Sequence, residues 1–221
     1  MATPLTFLLI LVTGFISYRV MNSPAQKNKL LFIPYYVNER GEYYRFITAA
    51  FIHKDWWHLG VNMIVLYFFG QTVESVYKVL FGTWGALLFL GLYLGGILAS
   101  KAITYFRHRT NPGYGSLGAS GAVSAVLFAS ILFDPWNEIF IFFIPKGIPG
   151  FIFGLIYLAY STYMDKKGTD LIGHNAHLSG AFFGVLFTIL ILPVLLPHFF
   201  YCLQSGSENC VAEFIMMYLG N

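Results

Sequence analysis

The sequence predicts an all-α membrane protein, a bundle of six transmembrane helices with a long interfacial first loop. Three observations predict it. Of 221 residues, 57% are hydrophobic and only 10% charged, with a mean hydropathy of +0.65. A soluble domain carries about 25% charged residues, so this chain cannot cover itself with polar surface. The apolar residues also fall into stretches of helical length separated by polar loops, and aromatics reach 19%, with Tyr and Trp placed where an interface would hold them. The formal charge of +3 leaves no footprint for nucleic acid. The expected surroundings are membrane lipids, and the composition points to no cofactor.

A bilayer helix needs about 20 apolar residues. The first candidate runs from Pro4 to Met21, and Tyr18-Arg19 follows without the small-residue pattern of a cleaved secretory signal. Asn22 to Asp55 is the long loop. Tyr35-Tyr36, Tyr43-Tyr44-Arg45-Phe46 and Trp56-Trp57 mix with charges there, as in a segment partly embedded among headgroups. The second span is expected over Trp57–Tyr77 and the third over Trp84–Phe106.

A basic Gly/Pro-containing loop then reaches Gly115-Ser116-Leu117-Gly118-Ala119-Ser120-Gly121, a stretch almost free of bulk in a chain crowded with Phe, Leu and Tyr. The fourth span, Ala119–Phe133, ends at Asp134-Pro135. It is roughly 22 Å long against a hydrocarbon core of ~30 Å. That sets Ser120 below the membrane surface, at the floor of something water must reach. An interface-hugging loop follows over Glu138–Gly150. The fifth span is Phe151–Met164, and a polar loop Asp165–Gly173 precedes the sixth, Asn175–Leu196, closed by Pro197. One membrane domain over 1–200 and a short tail over 201–221 is the simplest division. Cys202 and Cys210 lie at that end, as free thiols or, facing an oxidising compartment, as a disulfide.

Polar residues inside spans are costly and mark function. Ser120 sits in the first turn of its helix, beside backbone N–H groups that have no partner inside the helix. His58 and Asn62 are four positions apart, on one helix face, and both can donate toward a developing oxyanion. His177 lies near the start of the sixth span, on the same side of the membrane as Ser120 if the spans thread in order. Ala176, Gly180 and Gly184 on one helix, and Gly121, Ala125 and Ala129 on the other, repeat small residues every fourth position. Small faces let membrane helices approach closely, as a Ser–His hydrogen bond requires. Asp170 lies in a solvated loop, so the pattern reads as a dyad without an acidic third member. A metal cluster of His53, His58, His174 and His177 is disfavoured, because no carboxylate lies within a turn of them inside a span.

Together these residues resemble the rhomboid family of intramembrane serine proteases. Tyr43-Tyr44-Arg45-Phe46, His58-x-x-x-Asn62, Gly118-Ala119-Ser120-Gly121 and Ala176-His177-x-x-Gly180-x-x-x-Gly184 carry the resemblance from the first loop to the last span. It implies a six-helix rhomboid-like bundle with Ser120 as nucleophile and His177 as general base. It implies an oxyanion hole from His58, Asn62 and the Ser120 N–H. It also implies transmembrane protein substrates, unwound locally and admitted beside the fifth span, with the loop before the sixth span as part of a lid. Two departures stand out. Tyr44 takes the place of the family's usual Trp, and Ser124 takes a position where some members carry an aromatic ring stacked on the histidine.

The resemblance further implies a bacterial inner membrane, with the site opening away from the cytoplasm. The positive-inside rule disagrees, because Lys27, Lys29, Arg40, Arg45, Lys54, Arg107, Arg109, Lys166 and Lys167 all fall on the serine side. Two rival functions compete: a non-catalytic rhomboid-like protein that binds membrane helices, and a small transporter. The first needs Ser120 or His177 missing. The second calls for polar residues and broken helices in both halves, and only one half is polar-rich.

Overall fold

Helix α1 (Pro4–Val20) opens the chain. The computed structural model describes residues 3–140, 146–167, 174–207 and 209–220, with backbone alone at 164–167 and 174. The expected loop residues 141–145 and the lid residues 168–173, Asp170 among them, lie outside the described residues. The first loop is folded rather than extended. It carries α2 (Pro24–Leu30), α3 (Pro34–Arg40), α4 (Arg45–Thr48) and a 3₁₀ turn over Ala49–Phe51. Prolines at the first position start α2 and α3, where a missing N–H costs nothing. Arg45 holds the loop together. It is buried, and its Nη1 donates to the carbonyls of Asn28 (2.8 Å) and Leu31 (2.6 Å), while Nε pairs with Glu42.

The bundle proper is α5 (Trp56–Phe81), α6 (Trp84–His108), α7 (Ser120–Phe133), α8 (Gly150–Lys167) and α9 (His174–Ile191), with α1 against α5. A two-residue antiparallel pair, β1 (Glu138–Ile139) with β2 (Ile148–Pro149), sits between α7 and α8. Every residue of α7 from Gly121 to Phe133 is buried. It is enclosed by α5, α6, α8 and α9, and α10 (Leu195–Ser205) and α11 (Cys210–Leu219) also touch it.

Among the described residues, two helices, α5 and α6, are by length and composition long and apolar enough to cross a membrane, or three if the bent pair α9–α10 counts as one. The other apolar helices are shorter, so length and composition leave the six-span expectation without support from these elements. The sixth span was expected to run on to Leu196. It stops at Ile191 instead, and the chain turns by 110° into α10. Pro193 falls in the break, and Pro197, expected to end the helix, lies in the first turn of α10, where proline is tolerated. Cys202 and Cys210 are joined as a disulfide, which settles the alternative that the sequence left open. Phe214 of α11 is fully buried against Phe133 of α7.

Candidate active site

Ser120 is the first residue of α7, after a segment held in place by other loops. Ser116 and Phe32 exchange backbone hydrogen bonds of 3.0 Å, and Gly118 N–H donates to the Ala49 carbonyl at 2.8 Å. Gly118 adopts φ +110°, a region that side chains resist. A Cβ there would meet the His58 ring at 2.7 Å. The next amide, Ala119 N–H, donates to His53 Nε2 at 3.3 Å, while His53 Nδ1 lies 2.9 Å from Ser17 Oγ. Ser17 Oγ donates to the Phe51 carbonyl at 2.9 Å. The Ser17 proton is thus spent, so His53 Nδ1 carries the ring proton and Nε2 accepts. Burial, reinforced by the neighbouring His58, pushes the His53 imidazole down to about 3, which keeps Nε2 free to accept. His53 was weighed in the sequence only as a metal ligand. Its part in fixing the serine loop could have been suspected only from its place between that loop and the first span.

His58 and Asn62 stand on α5, whose first turn is capped by Asp55 accepting from His58 N–H at 2.7 Å. The His58 ring meets His53 edge-on at 5.0 Å, and its Nδ1 is buried without a hydrogen-bond partner among the described residues. Asn62 is buried and gives one amide hydrogen to the His58 carbonyl at 2.8 Å. His177 is one turn into α9. Where α9 crosses α7, a Cβ on Gly180 would collide with the Gly121 carbonyl, and one on Gly184 with Ala125. The two backbones are therefore in contact, as the small-residue spacing anticipates.

The packing leaves a cavity of about 220 Å³ whose wall includes Ser120, His58, Asn62 and His177. Ser120, His177, His58 and Asn62, expected from different helices, all line it. A further wall residue was not anticipated. Tyr157 of α8 stacks on His177 with ring centroids 5.7 Å apart and planes 20° apart. Its hydroxyl lies 2.6 Å from Ser124 Oγ, so the position that lacks an aromatic is tied to a ring from another helix. The only signal in the sequence was a tyrosine inside an apolar span, and helices carry many of those. As to metals, the side chain of His174 lies outside the described residues. Among the described residues the ligand atoms of His198, Cys202 and Cys210 cluster within 4.8 Å, but both sulfurs are consumed by the disulfide.

Residues 40–194 match the Rhomboid domain family model. The chain is 31% identical over 183 residues to RHOMBOID-like protein 12, mitochondrial, of Arabidopsis thaliana, covering 76% of this chain and 52% of that one. It is 33% identical over 159 residues to Rhomboid-like protein 11, chloroplastic, of the same plant, covering 67% and 52%. It is 31% identical over 144 residues to the human Presenilin-associated rhomboid-like protein, mitochondrial, covering 63% and 35%. The chain thus spans about half the length, or less, of these curated relatives. Their names correct the expectation of a bacterial inner membrane, since these relatives are mitochondrial or chloroplastic proteins. Hydropathy and charge report which face of a bilayer a loop favours; they do not report which bilayer it is. Over most of its length, and with its serine, histidine and small-residue motifs all inside the matched region, the chain belongs to the rhomboid family.

Proposed function

We propose that this protein is an intramembrane serine endopeptidase that hydrolyses peptide bonds in or near transmembrane segments of membrane proteins. The observation that carries the reading is the single cavity shared by Ser120, His177, His58 and Asn62. Ser120 Oγ is the nucleophile. His177 takes its proton as Oγ adds to the scissile carbonyl carbon. The oxyanion is met by the Ser120 N–H at the α7 N-terminus and by donors from His58 and Asn62. His177 then protonates the leaving amine, and water, deprotonated by the same imidazole, releases the acyl group. A substrate helix must unwind first, because its carbonyls are engaged in i→i−4 bonds.

In this reading α1, α5, α6, α7, α8 and α9 are the six spans. Residues 1–200 form the protease domain and 201–221 an appendage, in an organellar membrane of the kind that holds the mitochondrial and chloroplastic relatives. The test is cleavage of a transmembrane substrate containing a helix breaker by purified protein in detergent. Ser120→Ala and His177→Ala run alongside, with fluorophosphonate labelling of Ser120. Cleavage and labelling are expected in the wild type alone. Cleavage that persists in both variants removes the assignment, and an inert wild type that still binds the substrate favours the non-catalytic alternative.

A further inference from the structure

The cavity wall contains a hydrogen-bonded chain that the roles proposed above leave unexplained. Ser124 Oγ lies 2.7 Å from the Ser120 carbonyl and 2.6 Å from the Tyr157 hydroxyl. A carbonyl can only accept, so the Ser124 hydroxyl donates to it, and its lone pairs are left to accept from Tyr157. The chain therefore runs from Tyr157 O–H to Ser124 O–H to the Ser120 carbonyl. It ties α8 to the first turn of α7, across the cavity from α5. The Tyr157 ring is held on its other sides as well. It stacks on Phe153 one turn earlier (6.1 Å, 26°) and tilts against Phe128 of α7 (6.0 Å, 48°). A ring clamped at its hydroxyl and by two neighbouring rings presents a fixed face to His177.

We infer that Tyr157 is the positioning residue for His177 and that its hydroxyl latches α8 to the nucleophile's turn. The inference rests on the protease reading for its catalytic consequence. The stack on Tyr157 fixes the plane in which the His177 imidazole lies. The face of Tyr157 supplies a flat surface for that.

The experiment compares Tyr157→Phe, Tyr157→Leu and Ser124→Ala in the full chain, by kcat and KM on a transmembrane substrate. Imidazole carbon-13 NMR of His177 in a Ser120→Ala background runs beside it. Tyr157→Leu is expected to lower kcat by about 10- to 100-fold with KM nearly unchanged, and to move the His177 ring resonance downfield as the stacked ring is lost. Tyr157→Phe keeps the ring, so kcat returns to within a few-fold and the resonance stays in place; Ser124→Ala behaves like Tyr157→Phe. If Tyr157→Leu cannot be recovered folded, Tyr157→Met carries the same comparison. Unchanged kcat and resonance in the leucine variant would overturn the inference, as would a phenylalanine variant as damaged as the leucine one. A wild type that cuts nothing defeats the protease reading instead, and the resonance still decides whether Tyr157 positions His177.

Discussion

Gly180 and Gly121 meet backbone to backbone, and a methyl group at Gly180 has nowhere to go but into a carbonyl. Gly180→Ala should therefore cost about 1–3 kcal/mol through forced separation of α7 and α9, and under the proposed protease function should cut proteolysis by moving His177 away from Ser120. Gly60, on α5, has nothing within 4 Å of a built Cβ. Gly60→Ala should be neutral or stabilising by up to about 1 kcal/mol. Thermal unfolding in one detergent compares the two, and equal effects would remove the close-contact argument.

His53 yields a prediction about acid. Its native pKa lies far below that of an exposed histidine, so the unfolded chain takes up a proton at a pH where the native site does not. Stability is complete above the unfolded value of about 6.5 and falls as pH drops from there toward about 3, by up to about 1.4 kcal/mol per unit. His53→Gln can still accept from Ala119 N–H but does not titrate. It should flatten that slope between pH 6.5 and 4, and denaturant midpoints measured across this range check it.

At the scale of elements, α1 is anchored by a carboxylate that its own sequence does not contain. Glu74 of α5 is fully buried. It accepts from Leu5 N–H (3.2 Å), Thr6 N–H (2.8 Å) and the Thr6 hydroxyl (2.8 Å), and pairs with Lys78 at 2.8 Å. The orphan donors of a helix N-terminus favour negative charge, and this one is supplied from the neighbouring helix. Glu74→Gln leaves part of a buried pair uncompensated and should cost about 3 kcal/mol. Hydrogen exchange should rise first in residues 4–20; exchange rising uniformly along the chain would mean that α1 is not the element held. Proline acts through position in the same way. Pro193 breaks the helix before it while Pro197 sits in the first turn of the next, and the residue type alone cannot separate the two roles.

For the whole molecule, both cysteines of the chain are paired, so single introduced thiols can map the sides of the membrane. With six spans, Pro4→Cys and Gly220→Cys, both at exposed positions, should label from the same face of sealed vesicles, and Gly113→Cys from the other. Labelling of residues 4 and 220 from opposite faces would exclude an even number of spans.

Much of the candidate site was legible because it is written in rare residues. Ser120, His58, Asn62 and His177 are polar groups in apolar helices, and the small residues at every fourth position announce which helices touch. Tyr157 and Glu74 were not legible, because an aromatic or a carboxylate gains its meaning only from what it faces. The sequence by itself determined that the chain is helical, apolar and built around a glycine-lined serine turn, since composition, periodicity and residue size act locally. Only the tertiary structure decided that α7 is wholly enclosed, that α8 supplies the ring against His177 and that α5 caps α1. Each of those depends on contacts between residues far apart along the chain, which no local pattern encodes.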